Sequence, residues 1–565
     1  MQSGIKDTGT ELFVVFVIGG LVGVIVATAS KAFVSGVKFF TILRENQTLL
    51  EFSIGGLQVE LTSLIFLWSA TGVLILIRRT FKISRWHGPA DSIYHAHQSK
   101  EPLDIKHGLV STLAAFSTAA GGGSVGQYGP LVHFGATIGI IFKRFFKSRL
   151  ANEIYLGSGV AAAISAGFGA PLAGIVFAHE AVLRHLSVRA MAPISVASVS
   201  AAAFSQAFFK NTTPYAITAP PPDLATLIPI LIVASPVVAI TSIIFMQALR
   251  QAAKFARESQ WSPERLMITA ATICGTVGIW VPEILGVGLG TVNTMLSGQY
   301  DIPMLIVLLG LKIAMTATCI GFGLFGGVFS PALFIGVAVG GVVAQISVLL
   351  GGPSLIEAIS IAAMASVAAT VIGAPITAIL IVLELTQSYA YAVAALMAVM
   401  TSMLLTHRLF GHSFFDRQLI DRGIDLALGR EGIALTQHTL EDHIGDDCVI
   451  LTGISTGQEA LLEMRTKEQT EAYVISTSGN LVGKLSIHQA IEAGNRFVEQ
   501  YCDKDPLILK VDDSLQHAMH VVSDFVGESI PIVGEDREFL GAITEGDLFT
   551  AVIEVQSKVR TQERG

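Results

Sequence analysis

Two proline-containing motifs each occur twice in this sequence, with the copies separated by 201 and 204 residues. The pattern Gly-x-aromatic-x-Pro occurs at 126–130 and 327–331, and the sequence Gly-Ala-Pro occurs at 169–171 and 373–375. Each copy is followed by an apolar run. Paired glycine and proline interruptions at corresponding places in two halves of a hydrophobic chain indicate a repeated membrane protein with a binding site near the bilayer midplane. We therefore predict that the functional site lies where the two interruptions meet.

The composition divides the chain into a membrane part and a soluble part. Apolar residues make up 52% of the sequence and charged residues 14%, which is unusual for a soluble enzyme. Residues 431–565 contain 24 acidic and 10 basic side chains, a net charge of −14, whereas the whole chain carries −8. The first 430 residues therefore carry a net charge of +6. We predict a transmembrane domain over 1–425 and an acidic cytosolic domain over 426–565.

Long apolar runs predict an all-α polytopic membrane domain. Several runs are shorter than the ~20 residues that span a bilayer, which indicates tilted or broken helices packed inside protein. The runs lie at 12–30, 61–77, 107–120, 155–168, 194–209, 224–248, 267–281, 304–321, 332–350 and 389–406. A basic cluster at Arg78, Arg79, Lys82 and Arg85 follows the second run and indicates a cytoplasmic loop. The first two runs then form a hairpin, and the N-terminus is also cytoplasmic.

The chemistry at the interruptions comes from the backbone. A helix that begins at such a motif inside the membrane presents free N–H groups and the positive end of its dipole to the break, which favours an anion. Two such helix starts that face each other can hold a small anion weakly, as conduction requires. Proline in the first turn costs no hydrogen bond, because that position has no intrahelical partner. The alternative interpretation is helix packing alone, since glycine and proline are frequent in membrane helices.

These motifs resemble the signatures of the CLC chloride channels and chloride/proton antiporters. The stretch 126–133, Gly-Gln-Tyr-Gly-Pro-Leu-Val-His, is similar to the family signature Gly-Lys/Arg-Glu-Gly-Pro-x-Val-His, and 327–331 is similar to its Gly-x-Phe-x-Pro. The resemblance implies a homodimer in the lipid bilayer, in which each subunit is an inverted repeat with one chloride pathway. The anion pathway and its gate are then expected at Gly126, Gln127, Tyr128, Gly129, Gly327, Val328 and Phe329.

Tyr128 is the departure from the family pattern that matters most. The resemblance implies a gating glutamate at this position, which competes with chloride and carries a proton. Glutamate has a reference pKa of about 4.3, whereas tyrosine, at about 10, would cost roughly 4 kcal/mol to ionise at pH 7. Tyr128 therefore cannot readily replace the proton carrier. Its hydroxyl can donate a hydrogen bond to an anion or its ring can plug the pathway; the alternative is a ring that is merely packed in the core.

Two further positions of the family's proton route lack a titratable group. The resemblance implies an internal glutamate directly after Glu180, where this chain has Ala181, and an inner-gate tyrosine at Phe415. A shift of one residue at the second position would place Phe414 there, which is also apolar. The proton route is thus lost at Tyr128, Ala181 and Phe415. We predict that transport is not coupled to protons by this route.

A further signature of the family, Gly-Ser-Gly-Ile-Pro, is only weakly retained. Its counterpart is the stretch Arg-Trp-His-Gly-Pro at 85–89, in which Trp86 stands where a chloride-binding serine is implied. The indole N–H of Trp86 can donate to an anion, or the side chain is an interfacial anchor. We assign Trp86, His87 and Gly88 to the anion pathway, with a solvated loop histidine as the simpler interpretation of His87. His133 is predicted to be an interior histidine with satisfied partners.

The C-terminal region contains two copies of a strand, turn, strand, helix pattern. The copies begin at 472–475 and 529–533. They resemble a tandem pair of CBS modules, which form one α/β unit and in many proteins bind adenine nucleotides. In the second copy, Gly541, Thr544 and Asp547 match the ribose-contacting signature that the resemblance implies. In the first copy serine and glutamine replace the threonine and the aspartate, so a purely structural pair that braces a dimer remains the alternative.

The sequence thus predicts passive, proton-uncoupled transport of chloride or a similar small anion through a channel with Tyr128 at its gate and a regulatory CBS pair. Two alternatives are an antiporter that uses an unusual proton route and a nucleotide-responsive sensor with residual flux. No hydrolase, nuclease or kinase constellation occurs, so we expect neither an enzyme nor a nucleic-acid partner. The four cysteines lack metal-ligand spacing, and adenine nucleotide is the one cofactor considered. A bacterial plasma membrane is the expected location.

Overall fold

The computed structural model describes residues 2–54, 57–97, 103–146, 151–186, 188–209, 215–221, 223–523 and 525–564. The chain divides into two compact units, Met1–Gly423 and Ile424–Gly565. In its described residues the first unit is helical apart from one hairpin, and those of the second combine helices with two three-stranded sheets.

The first unit is built from helices of very different length. They are α1 (Gln2–Asn46), α2 (Thr62–Phe81), α3 (Pro89–His97), α4 (Ile105–Ala120), α5 (Tyr128–Phe146), α6 (Asn152–Phe168), α7 (Pro171–Phe177), α8 (Val188–Phe209), α9 (Leu224–Glu258), α10 (Pro263–Trp280), α11 (Leu289–Leu296), α12 (Ile302–Gly321), α13 (Phe329–Leu349), α14 (Ile356–Ile372), α15 (Pro375–Thr386), α16 (Tyr389–Leu409) and α17 (Phe414–Ile420). A π-helix over Ala178–Leu183 continues α7. Strands β1 (Glu51–Ile54) and β2 (Leu57–Glu60) form an antiparallel hairpin between α1 and α2.

Seven segments of the described chain are long and apolar enough to cross a membrane by length and composition. They comprise α1, α2, α8, α9, α12, α13 and the segment that contains α16 and α17. Other apolar helices, among them α14 and α15, are shorter than a bilayer span. The predicted all-α polytopic membrane domain with broken helices is confirmed.

The Gly-Ala-Pro motifs end one helix and begin the next in both halves of this unit. α6 and α14 are followed by glycines in the left-handed conformation, Gly169 at φ 68° and Gly373 at φ 80°, where a side chain would be strained. Pro171 and Pro375 then begin α7 and α15, at a position where the missing N–H has no helical partner. The two halves therefore repeat the backbone conformation as well as the sequence.

Close helix packing fixes the helices that begin at the Gly-x-aromatic-x-Pro motifs. α5 packs along α6, and α13 packs along α14. A Cβ atom on Gly135 would lie 2.2 Å from the Gly159 carbonyl oxygen, and one on Gly336 would lie 2.5 Å from the Cα atom of Met364. Small residues permit such close approach of helices in membrane proteins. Each of the two helices is thus packed closely along a neighbouring helix.

The second unit contains two similar modules. Its elements are α18 (Gly429–Gln437), β3 (Val449–Thr452), α19 (Gly457–Thr466), β4 (Glu471–Ile475), β5 (Leu481–Ser486), α20 (Ile487–Ala493), β6 (Leu509–Lys510), α21 (Leu515–Val522), β7 (Ser529–Val533), β8 (Phe539–Thr544) and α22 (Glu545–Arg564). In each module the first strand pairs parallel to the second, and the third pairs antiparallel to the second. Tyr473 and Leu481 of the first module pack with Val533 and Ala542 of the second. The modules form one α/β unit, as predicted.

Candidate anion pathway

The two Gly-x-aromatic-x-Pro motifs meet in the structure. Gly126 and Gly327 form an isolated antiparallel bridge, in which each backbone N–H donates to the carbonyl oxygen of the other residue at 2.7 Å. A second contact joins the motifs where the Gln127 N–H donates to the Ser330 hydroxyl at 3.4 Å. The two breaks in the helical backbone therefore occupy one place.

Glycine is needed on both sides of this bridge. A Cβ atom on Gly126 would lie 2.8 Å from the Gly327 carbonyl oxygen and 2.9 Å from Cδ of Pro331. A Cβ atom on Gly327 would lie 2.9 Å from the Gly129 nitrogen. These neighbours belong to backbone or to a proline ring, which cannot rotate away as a flexible side chain can. The bridge explains why both motifs begin with glycine.

Two helices begin beside the bridge. The first residues of α5 and α13 are the aromatic residues of the two motifs. In α5 the first intrahelical hydrogen bond is donated by the Leu131 N–H to the Gln127 carbonyl oxygen. In α13 it is donated by the Ala332 N–H to the Val328 carbonyl oxygen. The preceding N–H groups of each first turn have no intrahelical acceptor. These N–H groups and the helix dipoles favour a small anion at the shared break, and they do so without a positively charged side chain.

Tyr128 lies in a cluster of three aromatic rings beside the bridge. Its side chain is 4% exposed. The Tyr128 ring centroid lies 4.0 Å from that of Phe168, at the end of α6, and 5.9 Å from that of Phe329. The Phe168 and Phe329 centroids are 5.1 Å apart. A bulky ring, and not a carboxylate, is therefore the first side chain of α5 at the break.

Apolar side chains occupy the other two positions of the expected proton route. Ala181 is buried in the π-helix that continues α7. Phe415 is buried in the first turn of α17, and its ring centroid lies 6.1 Å from that of Phe414. Both phenylalanines are buried, so a register shift of one residue would leave the chemistry unchanged. Neither position offers a group that takes up a proton.

The carboxylate next to Ala181 has a structural role that the sequence reasoning missed. Glu180 accepts two backbone N–H bonds at 2.8 Å from the first turn of α15. Glu384, at the end of α15, accepts two backbone N–H bonds at 2.9 Å from the first turn of α7. Each carboxylate thus caps the other helix, and α7 and α15 run antiparallel. The signal was present, because each glutamate lies nine residues after the proline of its Gly-Ala-Pro motif.

The structure corrects the interpretation of Trp86 as a donor to an anion. Its indole N–H donates to the Gly323 carbonyl oxygen at 3.1 Å. The ring lies against Phe325, with 6.1 Å between the centroids. The indole has one N–H and no acceptor, so this bond uses its only polar group. Trp86 therefore joins two segments of the membrane unit.

His87 is not a solvated loop histidine. Its ring is half-buried and stacks on His107, with 4.7 Å between the centroids and an interplanar angle of 18°. Burial lowers the pKa of His87 to about 4, so the ring is neutral at physiological pH. His133 is buried and its Nδ1 lies 2.7 Å from the Ser92 hydroxyl. Within the described part of the chain, His87 Nδ1 and His133 Nε2 have no hydrogen-bond partner, which corrects the expectation of a satisfied His133.

A buried carboxylate holds the turn that carries Trp86 and His87. Asp91 accepts a hydrogen bond from the Gly88 N–H at 2.8 Å. It also accepts from the guanidinium groups of Arg85 at 2.7 Å and Arg422 at 3.0 Å. Burial alone would raise the pKa of Asp91, but Arg422 and Arg85 lower it to about 2. The turn at Gly88 is therefore tied by charge to the segment that follows α17.

Thr544 and Asp547 lie together at the exposed start of α22. The Thr544 hydroxyl donates to the Asp547 carboxylate at 2.7 Å, and the Asp547 N–H donates to the Thr544 hydroxyl at 3.0 Å. Ser486 and Gln489 form the corresponding cap on α20 in the first module. Gly541 lies nearby in β8. The residues at these positions therefore cap a helix in each module, and Thr544 and Asp547 remain accessible to solvent.

Comparisons with known proteins agree in one family. The family model described as "Voltage gated chloride channel" matches residues 69–407, more than half of the chain, and the CBS domain model matches residues 498–554. The chain is 27% identical over 329 residues to the "Putative chloride channel protein ClcB-like" of Ralstonia nicotianae, covering 56% of this chain and 76% of that protein. It is 24% identical over 356 residues to the "Voltage-gated ClC-type chloride channel ClcB" of Escherichia coli O81, covering 61% of this chain and 83% of that protein.

Solved structures share the fold. A eukaryotic CLC transporter aligns over 95% of this chain and 98% of its own, with a TM-score of 0.63 and 16% identity. A slow cyanobacterial Cl⁻/H⁺ antiporter aligns over 72% of this chain and 97% of its own, with a TM-score of 0.62 and 21% identity. At these identities the likeness concerns the fold alone. Because its family model covers more than half of the sequence, this chain belongs to the voltage-gated chloride channel family, the CLC proteins, and it carries a CBS domain in its C-terminal unit.

Proposed function

We propose that this protein passes chloride or a similar small anion across the membrane passively, as a channel, without coupling to protons. The pathway runs through the break that α5 and α13 share, and Tyr128 is its gate. The observation that carries this proposal is the tyrosine ring packed on Phe168 beside the Gly126–Gly327 bridge. An anion at the break meets N–H groups and an aromatic ring, and no carboxylate at residue 128 competes with it or carries a proton.

The apolar side chains of Ala181 and Phe415 support the absence of coupling. Proton transfer needs groups whose pKa lies near the working pH. A tyrosine hydroxyl would cost roughly 4 kcal/mol to ionise at pH 7, and alanine and phenylalanine have no titratable group. Three positions without a titratable group argue more strongly than one. If one of the three regained such a group, the proton route would still be interrupted at the other two.

A proton-coupled exchanger that uses histidine is the second candidate, and one observation favours it. The His87 and His133 ring centroids lie 6.2 Å apart, and each ring has a buried nitrogen without a partner among the described residues. Imidazole is the side chain best suited to carry protons near neutral pH. However, the lowered pKa of His87, about 4, means that this ring takes up a proton poorly at neutral pH. The channel is therefore the function that the site supports best.

Reversal potentials distinguish the two functions. With equal chloride on both sides of a planar bilayer and a pH gradient across it, a passive anion pathway reverses at zero voltage, because protons carry no part of the current. A coupled exchanger reverses at a voltage that the pH gradient sets in part. A reversal potential that shifts with the pH gradient would contradict the channel proposal and would support the proton-coupled exchanger. If His87→Gln then abolished that shift, the histidine route would be responsible.

Restoring one hydroxyl at the inner position is not expected to create proton coupling. In Phe415→Tyr the new hydroxyl can donate to an anion, but Ala181 and Tyr128 still interrupt the route. We expect chloride flux to change by at most about tenfold, the effect of one modest hydrogen bond. Proton movement should stay at the level of protein-free liposomes. Phe414→Tyr is the matched control for the register, and proton uptake in either variant would contradict the expectation.

We also propose that the protein works as a homodimer in a bacterial plasma membrane, with one pathway per subunit. The curated relatives described above are bacterial proteins. Arg78, Arg79, Lys82 and Arg85 lie at or just after the end of α2, and an excess of basic residues marks short cytoplasmic loops. The N-terminus and the CBS unit are then cytoplasmic as well. The mass of the purified protein in lipid nanodiscs measures the oligomeric state.

We propose further that the CBS unit regulates the pathway and binds an adenine nucleotide at Thr544 and Asp547. Both side chains lie on an exposed helix start, where a carboxylate can accept hydrogen bonds from ribose hydroxyls.

Asp547→Ala is expected to abolish affinity for AMP and ATP in isothermal titration with the full-length protein. The variant should also lose about 1 kcal/mol of stability, because it loses part of a helix cap. Gln489→Ala removes the corresponding cap residue of α20 and is the control, with a similar loss of stability and unchanged affinity. Undiminished affinity in Asp547→Ala would place the nucleotide elsewhere.

A further inference from the structure

Two buried cationic side chains lie near the segment that leads to the first Gly-x-aromatic-x-Pro motif. Arg44, in the last turn of α1, is 6% exposed, and Lys312, inside α12, is 0% exposed. The backbone links the two side chains, because Lys312 donates to the Gly286 carbonyl oxygen at 2.8 Å and the Gly286 N–H donates to the Gly122 carbonyl oxygen at 2.9 Å. Arg44 also packs against the segment that leads to the first motif, since a Cβ atom on Gly122 would lie 2.0 Å from its Nη1. The cations therefore sit close to the backbone that forms the bridge.

The Lys312 ammonium is hydrogen-bonded to backbone carbonyl oxygens, whereas one nitrogen of the Arg44 guanidinium has no acceptor among the described residues. The Lys312 ammonium donates to the carbonyl oxygens of Ile284 at 3.0 Å and Gly286 at 2.8 Å, and it lies 4.9 Å from the centre of the Phe334 ring. Nη1 of Arg44 is buried and has no hydrogen-bond partner among the described residues. Buried polar groups in native proteins are almost always hydrogen-bonded. The free guanidinium N–H groups therefore indicate a missing acceptor.

No buried carboxylate among the described residues acts on this pair of cations. The carboxylate that acts on Arg44 is Glu45, which lies 3.9 Å from Nη2 and is 63% exposed. Lys312 forms no ion pair with a carboxylate of the described residues, and its ammonium donates to backbone carbonyl oxygens instead. A buried charge is costly unless it is paired, and two like charges increase the cost. A small bound anion would supply the negative charge that balances Arg44 and Lys312.

Hydroxyl groups complete the surroundings. The buried hydroxyls of Ser124 and Thr316 are 3.2 Å apart. Thr316 lies one turn after Lys312 on α12, and Ser124 lies two residues before Gly126. A hydroxyl can rotate to donate to an anion.

We propose that Arg44, Lys312 and the Ser124–Thr316 hydroxyl pair form a second binding site for a small monovalent anion, distinct from the break between α5 and α13. This inference rests on the proposed function and extends it. The first motif carries an uncharged Gln127, and the two buried cations supply positive charge close to it. An anion bound at Ser124, which lies two residues before Gly126 in the chain, can pass from there to the starts of α5 and α13 at the break.

Bromide locates such a site directly, because it replaces chloride and scatters X-rays anomalously. In crystals of the full-length protein grown in bromide, we expect an anomalous peak within hydrogen-bonding distance of Arg44 Nη1. The peak should be lost in Arg44→Gln and retained in Arg44→Lys, which keeps the charge. Peaks at the starts of α5 and α13 without one beside Arg44 would overturn the inference.

Thermal unfolding in detergent gives a second readout that does not need crystals. A ligand that binds the folded protein raises its melting temperature with concentration. We expect Arg44→Gln to weaken the apparent chloride affinity, measured against gluconate, by about tenfold, as loss of one charged hydrogen bond implies. Lys254→Gln removes an exposed charge on α9 and should behave as the wild type. Equal chloride dependence in the wild type and Arg44→Gln would overturn the site.

The alternative explanation is that the buried thiol of Cys274 is ionised and supplies the counter-charge for the two cations. Cys274→Ala should keep the bromide peak; its loss in this variant would overturn the site as proposed. Failure of the proposed function is a different result, since proton-coupled flux would leave the bromide peak and the chloride dependence of unfolding intact.

Discussion

Replacing Tyr128 with alanine is expected to raise anion flux about thirtyfold. The Tyr128 ring makes two aromatic contacts at the break, with Phe168 at 4.0 Å and with Phe329 at 5.9 Å. Such pairs stabilise a structure by about 1 kcal/mol each. If the ring is the gate that we propose, opening it breaks both contacts at a cost of about 2 kcal/mol, which corresponds to about thirtyfold in population. Chloride efflux from liposomes, normalised to the amount of incorporated protein, measures the effect.

Tyr128→Phe is the matched control for this prediction. The variant keeps both ring contacts and removes only the hydroxyl, so its flux should stay within about tenfold of the wild type. A large rise in Tyr128→Phe would show that the hydroxyl, and not the ring, restrains the anion. Unchanged flux and selectivity in Tyr128→Ala would exclude Tyr128 from the pathway and leave the ring as a part of the core.

Gly126→Ala is expected to abolish flux. The added methyl group would lie 2.8 Å from the Gly327 carbonyl oxygen and 2.9 Å from Cδ of Pro331. Neither neighbour can rotate away, so the two reciprocal hydrogen bonds of the bridge must open and the helix starts must separate. Overpacking of this kind costs about 1–3 kcal/mol, and each lost backbone hydrogen bond adds about 1 kcal/mol. Chloride efflux should fall to background, and the melting temperature should fall with it.

Gly310→Ala separates this effect from the general cost of changing glycine in a membrane helix. Gly310 lies in α12, and an added Cβ atom would meet no atom within 4 Å. Alanine is better than glycine in a helix by about 1 kcal/mol, so stability should rise slightly and flux should stay at the wild-type level. Wild-type flux in Gly126→Ala would mean that anions do not pass at the bridge.

Features that depend on local sequence were predictable. The length and spacing of apolar runs indicated a helical membrane domain, because a helix must bury or shield its backbone in lipid. Strands β4 and β7 were predicted at 472–475 and 529–533, because each stretch contains β-branched residues and is followed by a turn and a second strand. The repeated glycine and proline motifs indicated that two helix breaks meet, which the Gly126–Gly327 bridge bears out.

Features that depend on distant partners were not predictable from one sequence. The indole N–H of Trp86 bonds to Gly323, 237 residues away, and no local pattern identifies that acceptor. The partner of Glu180 lies 196 residues away at the start of α15. The surroundings of Arg44 also come from distant segments of the chain. Lys312 did carry a local signal, because it is the single charge in the apolar run 304–321, and ionisable residues inside membrane helices mark functional sites.

The most direct test of passive anion transport records chloride efflux and external pH together. Purified protein in chloride-loaded liposomes is placed in a low-chloride medium, and a potassium ionophore with potassium on both sides fixes the voltage. We expect chloride efflux without proton movement beyond that of protein-free liposomes, because residue 128 is a tyrosine and the route is interrupted at Ala181 and Phe415. Proton uptake in fixed ratio to chloride efflux would contradict this expectation and would show that exchange proceeds without a glutamate at residues 128 and 181 or a tyrosine at residue 415.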